Sequence, residues 1–262
     1  MKCILRIFIV KRLEKKEMVN KMILKVMTYN IQHGLDYSNR ILGRRKTNFE
    51  AIHEVINTLK PDILSINEIY GKGFVESTEY FDQVTLIAKA CNFKYFTFSK
   101  AINAKNGEYG NALFSNIPFY DYELIHIADP VHQPKFSKYE SRVITKFNFG
   151  EFDVISTHVG LNPDEQENAY YTLMDCVNPN KKTIIMGDFN MTVDNRLIQN
   201  IMKKYKEATI EAKGEIINTY PSLDAKMKID YIFLSKDINT LDADVLDVIN
   251  SDHMPLYAFI SL

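Results

Sequence analysis

The chain has 262 residues, of which 46% are hydrophobic and 12% aromatic, enough to bury the core of one large α/β domain. Its 32 basic and 33 acidic residues leave a formal net charge of −1, so no general attraction to nucleic acid or to an anionic membrane is predicted, although local patches remain open. The three widely spaced cysteines form no CxxC pair, which argues against a disulfide framework or a structural zinc site.

Residues 1–21 differ from the rest of the chain and are predicted to form an N-terminal extension before a single domain at 22–262. Their apolar start, "MKCILRIFIV", is short, is interrupted by Arg6 and has no small-residue cleavage site, which argues against a secretory signal peptide. Regular hydrophobic periodicity begins near Met22, so the hypothesis here is that Met18 or Met22 is the true start. We therefore expect a cytoplasmic protein without stable membrane insertion.

The first third of the domain is predicted to alternate strands with helices. "MILKVMTYN" (22–30) and "DILSINEI" (62–69) have the pattern of buried strands. Between them, apolar residues recur at helical spacing in "RRKTNFEAIHEVINTLK" (44–60), which Pro61 brings to an end. "EYFDQVTLIAKACN" (79–92) predicts a second helix.

The remainder of the domain is predicted to be rich in strands. Five hairpin-type strand segments follow one another: "KYFTFS" (94–99), "YGNALFSN" (109–116), "FYDYELIHI" (119–127), "RVITKFNF" (142–149) and "FDVISTH" (152–158). Helices near 164–177 and 194–206 flank the strand "KKTIIMG" (181–187). Three strand segments close the chain: "KIDYIFLS" (228–235), "DADVLDVI" (242–249) and "PLYAFISL" (255–262). We predict one domain in which two sheets pack face to face with helices outside.

The segment "TIIMGDFNM" (183–191) ends a buried apolar run in polar residues. Gly187 allows a close backbone approach, and Asp188 and Asn190 extend beyond the strand end. Ligands gather at the carboxyl ends of strands in α/β sheets, because side chains from separate strands converge there. Asp and Asn are also common turn formers and helix caps, so this segment alone leaves both interpretations open.

The same arrangement recurs in five further apolar segments. Carboxylate, amide or imidazole groups occur at strand ends, or in one case inside a strand: Asn30, Glu68, His158, Asn162, Asp230 (inside), Asp252 and His253. If these segments meet, one pocket holds four carboxylates, which would repel one another strongly unless a cation is bound. Oxygen ligands without a thiolate favour Mg²⁺ or Mn²⁺ over a structural Zn²⁺.

Taken together, these motifs resemble the endonuclease/exonuclease/phosphatase family, which includes apurinic endonucleases, pancreatic-type DNases, sphingomyelinases and inositol-phosphate 5-phosphatases. The matching stretches run in family order from about residue 24 to the C-terminus: "TYNIQHG", "PDILSINEI", "YGNALFSN", "ESRVITKF", "STHVGLN", "GDFN", "IDYIF" and "SDHMP". The resemblance implies a four-layer α/β sandwich, in agreement with the predicted strands, and a catalytic domain at 22–262.

The resemblance also suggests which residues hold a metal. Glu68 is expected to bind the cation with help from Asn30, and Asp252 is expected to bind it directly or through water. The sequence departs from the family at Asn67, where Gln is more common, and at Gln32, where some nucleases of the family carry an acidic residue. The number of metal ions therefore stays open.

Four residues are expected to carry the chemistry of phosphoester hydrolysis. Asp188 is expected to orient or deprotonate the attacking water, while Asn190 positions it and bonds a phosphoryl oxygen. His253 is expected to donate to the phosphate, and Asp230 is expected to hold the other ring nitrogen and so set its tautomer.

Three further residues are expected to contact the substrate. His158 and Asn162 resemble residues that stabilise the transition state or protonate the leaving group. Arg142 resembles a phosphate clamp, although an ion pair with Glu140 or another acid is the alternative.

The function these residues imply is that of a monomeric, Mg²⁺- or Mn²⁺-dependent phosphoester hydrolase. A nuclease is one narrower alternative, because 15 Tyr residues offer stacking surfaces, although the chain has no Trp and a balanced charge. A sphingomyelinase-like lipid phosphodiesterase is another, but would require exposed apolar loops. A non-catalytic binding module on the same fold is the alternative from a different class.

Overall fold

The computed structural model describes residues 21–43, 46–75, 79–105, 107–131 and 139–262. Apart from Lys21, the N-terminal extension predicted at 1–21 lies outside the described residues.

Strands dominate the described chain, and helices connect them. The strands are β1 (Ile23–Asn30), β2 (Ile63–Val75), β3 (Glu79–Phe81), β4 (Tyr95–Ala104), β5 (Gly107–Ser115), β6 (Asp121–His126), β7 (Val143–Asn148), β8 (Phe152–His158), β9 (Lys182–Asp188), β10 (Lys206–Glu207), β11 (Asp230–Leu234), β12 (Asn239–Val245) and β13 (Leu256–Ser261). The helices are a short 3₁₀ helix (Gln32–Gly34), α1 (Tyr37–Ile41), α2 (Phe49–Leu59), α3 (Gln83–Ala90), α4 (Pro163–Cys176), α5 (Arg196–Lys204) and α6 (Ala208–Lys213). Among the helices of the described residues, none has both the length and the apolar character needed to cross a membrane.

The strands form two sheets in which most neighbours run antiparallel. The first sheet has the order β12–β13–β1–β2–β5–β4, with β3 paired to β2, and the second has the order β10–β11–β9–β8–β7–β6. Each sheet contains one parallel pair near its centre, β1 with β2 and β8 with β9. Because both strands of a parallel pair end at the same edge, this topology brings the residues at their carboxyl ends together.

The central strands are apolar on both faces because each sheet is covered on both sides. In β1, Val26 packs between the two sheets, whereas Met27 faces the layer that contains α2 and α3. In β9, Ile184 packs between the sheets, and Ile185 faces α4 and α5. Successive side chains of a strand point to opposite faces, so these continuous apolar runs belong to sheets buried on both sides. The predicted four-layer α/β sandwich is confirmed.

Several predicted elements have different ends in the structure, among them the segments 79–92 and 242–249. The segment 79–92 was expected to be one helix, but its first three residues form β3 and the helix begins after Asp82. The Asp82 carboxylate accepts a hydrogen bond from the Thr85 backbone N–H at 3.0 Å, which caps the helix there. The strand predicted at 242–249 lies at Asn239–Val245, where it pairs with β13.

Gly187 is a position in β9 at which a side chain has no room. Its φ is +153°, and a Cβ built there would lie 1.8 Å from the backbone oxygen of Thr157 in the parallel strand β8. The close backbone approach predicted from the sequence is confirmed. Because the clash is with backbone rather than with a flexible side chain, we expect Gly187→Ala to lower the free energy of unfolding by more than about 3 kcal/mol.

Chemical denaturation would measure this loss, with Gly214→Ala as the matched control. Gly214 also has a positive φ, +73°, but a Cβ there would meet no atom of the described residues within 4 Å. The free energy of unfolding of that variant should fall by only about 1 kcal/mol, the cost of placing a side chain on a left-handed backbone. Equal losses in the two variants would contradict the steric explanation.

Candidate active site

The polar strand ends predicted from the sequence meet at one edge of the sandwich. Asn30 ends β1 and is in register with Asn67 of β2. His158 and Asp188 end β8 and β9 and are likewise in register with each other. Side chains from both sheets therefore contribute to a single site.

Asn67 forms side-chain hydrogen bonds that link the two sheets next to this site. Its side-chain nitrogen donates to Asn111 Oδ1 at 3.0 Å and to Thr157 O at 2.9 Å. Its oxygen accepts from the Asp188 backbone N–H at 3.0 Å. In the sequence Asn67 is notable only as a departure from an expected Gln, but these buried hydrogen bonds help to place Asp188.

Glu68 reaches the site because β2 is irregular at this point. The register between β2 and β5 shifts between Ile66 and Ile69, and Glu68 has a left-handed φ of +58°. A bulge of this kind re-aims a side chain, and positive φ values in non-glycine residues cluster at functional sites. Glu68 Oε1 accepts from Asn30 Nδ2 at 3.0 Å, and Oε2 accepts from the Tyr109 hydroxyl at 2.9 Å. Both oxygens of the carboxylate are thus held in place.

Asn30 joins the carboxylates of Glu68 and Asp188. Its nitrogen donates to Glu68 Oε1 and to Asp188 Oδ2, each at 3.0 Å, while its oxygen accepts from the Gln32 backbone N–H at 3.0 Å. The sequence suggested that Asn30 helps to bind a metal, which an amide does through its oxygen. In this structure the nitrogen faces the carboxylates of Glu68 and Asp188, and the metal role expected of Asn30 stays a prediction.

Asp188 is a buried carboxylate that accepts a hydrogen bond from the backbone turn that follows it. Its Oδ1 accepts from the Asn190 backbone N–H at 2.9 Å, and Asn190 adopts a left-handed φ of +51°. Burial raises the pKa of Asp188 to about 7, although the charge of His253 acts in the opposite direction. A carboxyl group with a pKa near neutrality is suited to accept a proton from water at neutral pH.

His253 lies between two buried carboxylates. Its Nδ1 bonds Asp230 Oδ2 at 2.8 Å, and its Nε2 lies 3.7 Å from Asp188 Oδ2. Burial by itself lowers the pKa of His253, but the charges of Asp230 and Asp188 outweigh it and raise the pKa to about 10. A raised pKa favours the imidazolium, in which both ring nitrogens carry a proton and can donate.

Asp188, Asp230 and His253 also form a compact group of potential metal ligands, with one ligand atom of each within 4.8 Å of the others. We interpret this group as a triad whose negative charge is partly compensated within itself, because a protonated histidine cannot bind a metal and already supplies one positive charge. The cation that four neighbouring carboxylates were expected to need is thus provided in part by His253. Glu68 does not belong to the triad.

His158 contacts three residues of the site. Its Nε2 lies 3.5 Å from Asp188 Oδ2 and 3.2 Å from Asn190 Nδ2. Its Nδ1 lies 3.1 Å from an Nη of Arg142. Burial, followed by the positive charges of Arg142 and His253, holds the pKa of His158 well below its usual range. Two histidines therefore meet the Asp188 carboxylate, one neutral and one charged.

Arg142 forms the ion pair with Glu140 that the sequence left open as the alternative to a phosphate clamp. The same Nη lies 2.7 Å from Glu140 Oε1. The two residues lie on one irregular segment before β7, so the pair does not cross between strands. The buried Nε of Arg142 has no hydrogen-bond partner among the described residues.

Asp252 is hydrogen-bonded to Gln32, the residue whose backbone N–H donates to Asn30. Its Oδ2 accepts from Gln32 Nε2 at 2.7 Å, and its Oδ1 accepts from the Ser251 hydroxyl at 3.2 Å. Gln32 has a left-handed φ of +44°. Its Oε1 is buried and has no hydrogen-bond partner among the residues that the structure describes. An oxygen in that situation is suited to accept from water or to bind a cation.

Asn162 lies immediately before α4. Its backbone N–H donates to Glu165 Oε2 at 3.0 Å, and its side-chain nitrogen donates to the same oxygen at 2.5 Å. These bonds give Asn162 a part in capping α4. The substrate contact expected of it stays a prediction.

A cluster of rings beside Glu68 was not identified from the sequence. The rings of His33, Tyr70 and Tyr109 lie with centroids 5.0 to 6.5 Å apart. Gln83 anchors two of them, since its oxygen accepts from the Tyr70 backbone N–H at 2.8 Å and its nitrogen donates to His33 O at 2.9 Å. The pairing of β2 with β5 places Tyr70 opposite Tyr109 and would have indicated the cluster. The register of these two strands cannot be derived from motifs along the chain.

The comparison with protein families gives one match that spans most of the chain. The model described as "Endonuclease/Exonuclease/phosphatase family" matches residues 27–253. No curated protein matches the chain.

Several solved structures share the fold. An endonuclease/exonuclease/phosphatase from Beutenbergia cavernae DSM 12333 is 17% identical to this chain with a TM-score of 0.79. The match covers 92% of this chain and 72% of the Beutenbergia chain. The mannosyl-6-phosphatase Bt3783 from Bacteroides thetaiotaomicron VPI-5482 is 14% identical with a TM-score of 0.70, covering 90% and 99%. A humanized TDP2 from D. rerio is 14% identical with a TM-score of 0.62, covering 91% and 98%. At these identities the likeness shows the fold alone.

Proposed function

The chain belongs to the endonuclease/exonuclease/phosphatase family, and from this membership we propose that it hydrolyses a phosphodiester or phosphomonoester by metal-assisted attack of water. The observation that carries the proposal is the set of groups around Asp188 Oδ2, where Asn30, His158 and His253 approach to 3.0, 3.5 and 3.7 Å. Phosphoesters hydrolyse very slowly unaided, so a catalyst must activate water and stabilise charge on the phosphoryl oxygens. A buried carboxylate surrounded by donors suits both tasks.

The residues beside Asp188 fit a hard divalent cation. Glu68 offers a carboxylate, and Gln32 Oε1 is a buried oxygen without a hydrogen-bond partner among the described residues. Oxygen donors without a thiolate suit Mg²⁺ or Mn²⁺. We assign the cation to Glu68, with Gln32 and Asp252 beside it and Asn30 as the orienting donor. When bound, the cation would polarise a phosphoryl oxygen and neutralise charge that develops during the reaction.

Asp188 is the proposed acceptor of a proton from the attacking water. Its pKa of about 7 leaves a substantial fraction ionised at neutral pH. Asn30 and the Asn190 backbone each hold one of its oxygens, so the carboxylate is oriented before substrate arrives. The side chain of Asn190 is proposed to bond a phosphoryl oxygen as well.

His253 is the proposed charged donor to the phosphate. Asp230 holds Nδ1 at 2.8 Å, which leaves Nε2–H directed towards Asp188 and the space where a phosphoryl group would lie. His158 is proposed to donate a second hydrogen bond to the phosphate. The substrate contacts expected of Asn162 and Arg142 are part of the same proposal.

The choice between enzyme and binding module rests on the completeness of this network. A binding module has no need of a buried carboxylate of raised pKa, yet Asp188 is held by the residues that hydrolysis requires. A nuclease is a narrower form of the proposal, to which the half-buried rings of His33 and Tyr70 offer a stacking surface. The net charge of −1 does not favour it over a small phosphoester.

Turnover of bis(p-nitrophenyl) phosphate and p-nitrophenyl phosphate tests the proposal. We expect release of nitrophenolate with Mg²⁺ or Mn²⁺ and its loss on addition of EDTA. The natural ester would then be sought among abasic DNA, single-stranded nucleic acid, sphingomyelin and inositol phosphates. A folded protein without metal-dependent turnover on any of these substrates would favour the binding module.

Tyr109→Phe is expected to weaken the binding of Mn²⁺ by about 10-fold, because the hydroxyl that holds Glu68 Oε2 is lost. Isothermal titration of Mn²⁺ into the metal-free protein would measure the change. Tyr70→Phe is the matched control, since its ring lies 5.0 Å from that of Tyr109 in the same cluster. Unchanged affinity in Tyr109→Phe would contradict this role for the hydroxyl.

A further inference from the structure

Both ring nitrogens of His158 face hydrogen-bond donors, and a neutral imidazole has only one acceptor nitrogen. The Arg142 guanidinium lies 3.1 Å from Nδ1, and the side-chain nitrogen of Asn190 lies 3.2 Å from Nε2. One of these two contacts is therefore not a hydrogen bond.

The neighbours of each nitrogen identify which contact is the hydrogen bond. A guanidinium has no acceptor, so a proton on Nδ1 would point at the N–H of a cation. The Asn190 nitrogen has another acceptor in Val159 O, at 2.9 Å, and Nε2 has an acceptor in Asp188 Oδ2, at 3.5 Å. The arrangement is consistent only if Nδ1 accepts from Arg142 and Nε2 carries the proton.

We propose that Arg142 is a positioning residue that holds His158 as the neutral Nε2–H tautomer, and that His158 acts as a fixed hydrogen-bond donor rather than as an acid. Arg142 is itself held by Glu140, at 2.7 Å, which keeps the guanidinium beside the ring. His158 is only 2% exposed, and such burial also disfavours the charged ring.

The two histidines that meet Asp188 thus have opposite partners at Nδ1. In His253 that partner is the carboxylate of Asp230, which favours the imidazolium; in His158 it is the guanidinium of Arg142, which favours the neutral ring. Environments that separate two like groups in this way also separate their roles. His253 contributes a positive charge, whereas His158 contributes a neutral N–H donor in a fixed orientation.

The catalytic consequence rests on the proposed function. Water attacks phosphorus and gives its proton to Asp188, the bond from phosphorus to the leaving oxygen breaks, and that oxygen takes its proton from solvent. A neutral imidazole N–H does not release its proton in neutral water, so His158 stabilises charge on oxygen without transferring a proton.

Nitrogen-15 NMR of the metal-free protein, without substrate, tests the tautomer directly. The signals of His158 would be assigned by their absence in His158→Gln. We expect a protonated Nε2 and an unprotonated Nδ1 at neutral pH, a shift of proton occupancy towards Nδ1 in Arg142→Met, and retention of the Nε2–H form in Arg142→Lys. Arg196→Met, which removes an exposed arginine paired with Glu167, is the control that should leave His158 unchanged. A proton on Nδ1 in the wild type, or an unchanged tautomer in Arg142→Met, would overturn the proposal.

A series of aryl and alkyl phosphodiesters tests the role in turnover. His158→Gln should lower kcat/KM by about 100-fold, the usual effect of removing one preorganised donor, and by the same factor for good and poor leaving groups. A loss that grows with the basicity of the leaving group would identify His158 as an acid and overturn this part. Because the NMR measurement needs no substrate, absence of turnover would refute the proposed function alone, and the tautomer would still be decided.

Discussion

Replacing Asp188 with asparagine is expected to lower metal-dependent phosphoester turnover by about 100- to 10,000-fold, the usual contribution of a positioned general base. Asparagine has nearly the same shape but cannot accept a proton from water. Its nitrogen also cannot accept from Asn30 Nδ2 or from the Asn190 backbone N–H, which both donate to Asp188. One of the two bonds that orient the side chain is therefore lost together with the base.

The measurement is kcat on bis(p-nitrophenyl) phosphate at saturating Mg²⁺, with thermal unfolding to show that the variant is folded. Asp175→Asn is the matched control, because Asp175 is an exposed residue near the end of α4. A loss of less than about 10-fold in folded Asp188→Asn would rule out the general-base role, since even weak general bases contribute more.

Replacing Glu68 with glutamine is expected to reduce both metal affinity and turnover by about 100-fold or more, because even the partners of a metal ligand are commonly worth 10- to 100-fold. Glutamine keeps an oxygen that can accept from Asn30, so the local packing should survive. The negative charge that attracts a divalent cation is lost, and only one of the two acceptors that Glu68 offers to Asn30 and Tyr109 remains.

Two readouts separate binding from chemistry in this variant. Stabilisation of the fold by Mg²⁺ or Mn²⁺ reports affinity without any substrate, and the metal concentration at half-maximal rate reports it during turnover. Glu108→Gln is the control, since Glu108 lies next to Tyr109 but forms an exposed pair with Lys100 at 3.3 Å. Wild-type metal stabilisation in Glu68→Gln would place the cation elsewhere in the site.

Several features of the fold follow from patterns that are local in the sequence. The helix ended by Pro61 is local, because the spacing of Ile52, Val55, Ile56 and Leu59 places one apolar stripe against the first sheet. The close backbone approach at Gly187 was also predicted, because a glycine at the end of an apolar strand allows it. The start of the helix predicted at 79–92 was wrong, because residues 79–81 pair with β2 instead of forming a helix.

The residues of the site were predicted from the sequence, but the hydrogen bonds between them were not. Asp188, His253 and Asp230 could be placed together because each follows, precedes or lies within a strand-like segment. The donor role of Asn30, the link of Asn67 to Thr157 and the hydroxyl of Tyr109 on Glu68 could not, since each depends on the register between strands. The pairing of Arg142 with His158 likewise depends on how the segment before β7 runs past the end of β8.

By itself the sequence determined the alternation of elements, the two-sided burial of the central strands and the chemical types of the groups at their ends, because hydrophobic periodicity and local polarity are carried by neighbouring residues. Only the tertiary structure decided which nitrogen meets which oxygen. The bond between Asn30 and Asp188 joins residues 158 positions apart, and the left-handed backbone at Glu68 turns its side chain towards them. Such contacts arise from strand register and sheet packing, which no short stretch of the chain encodes alone.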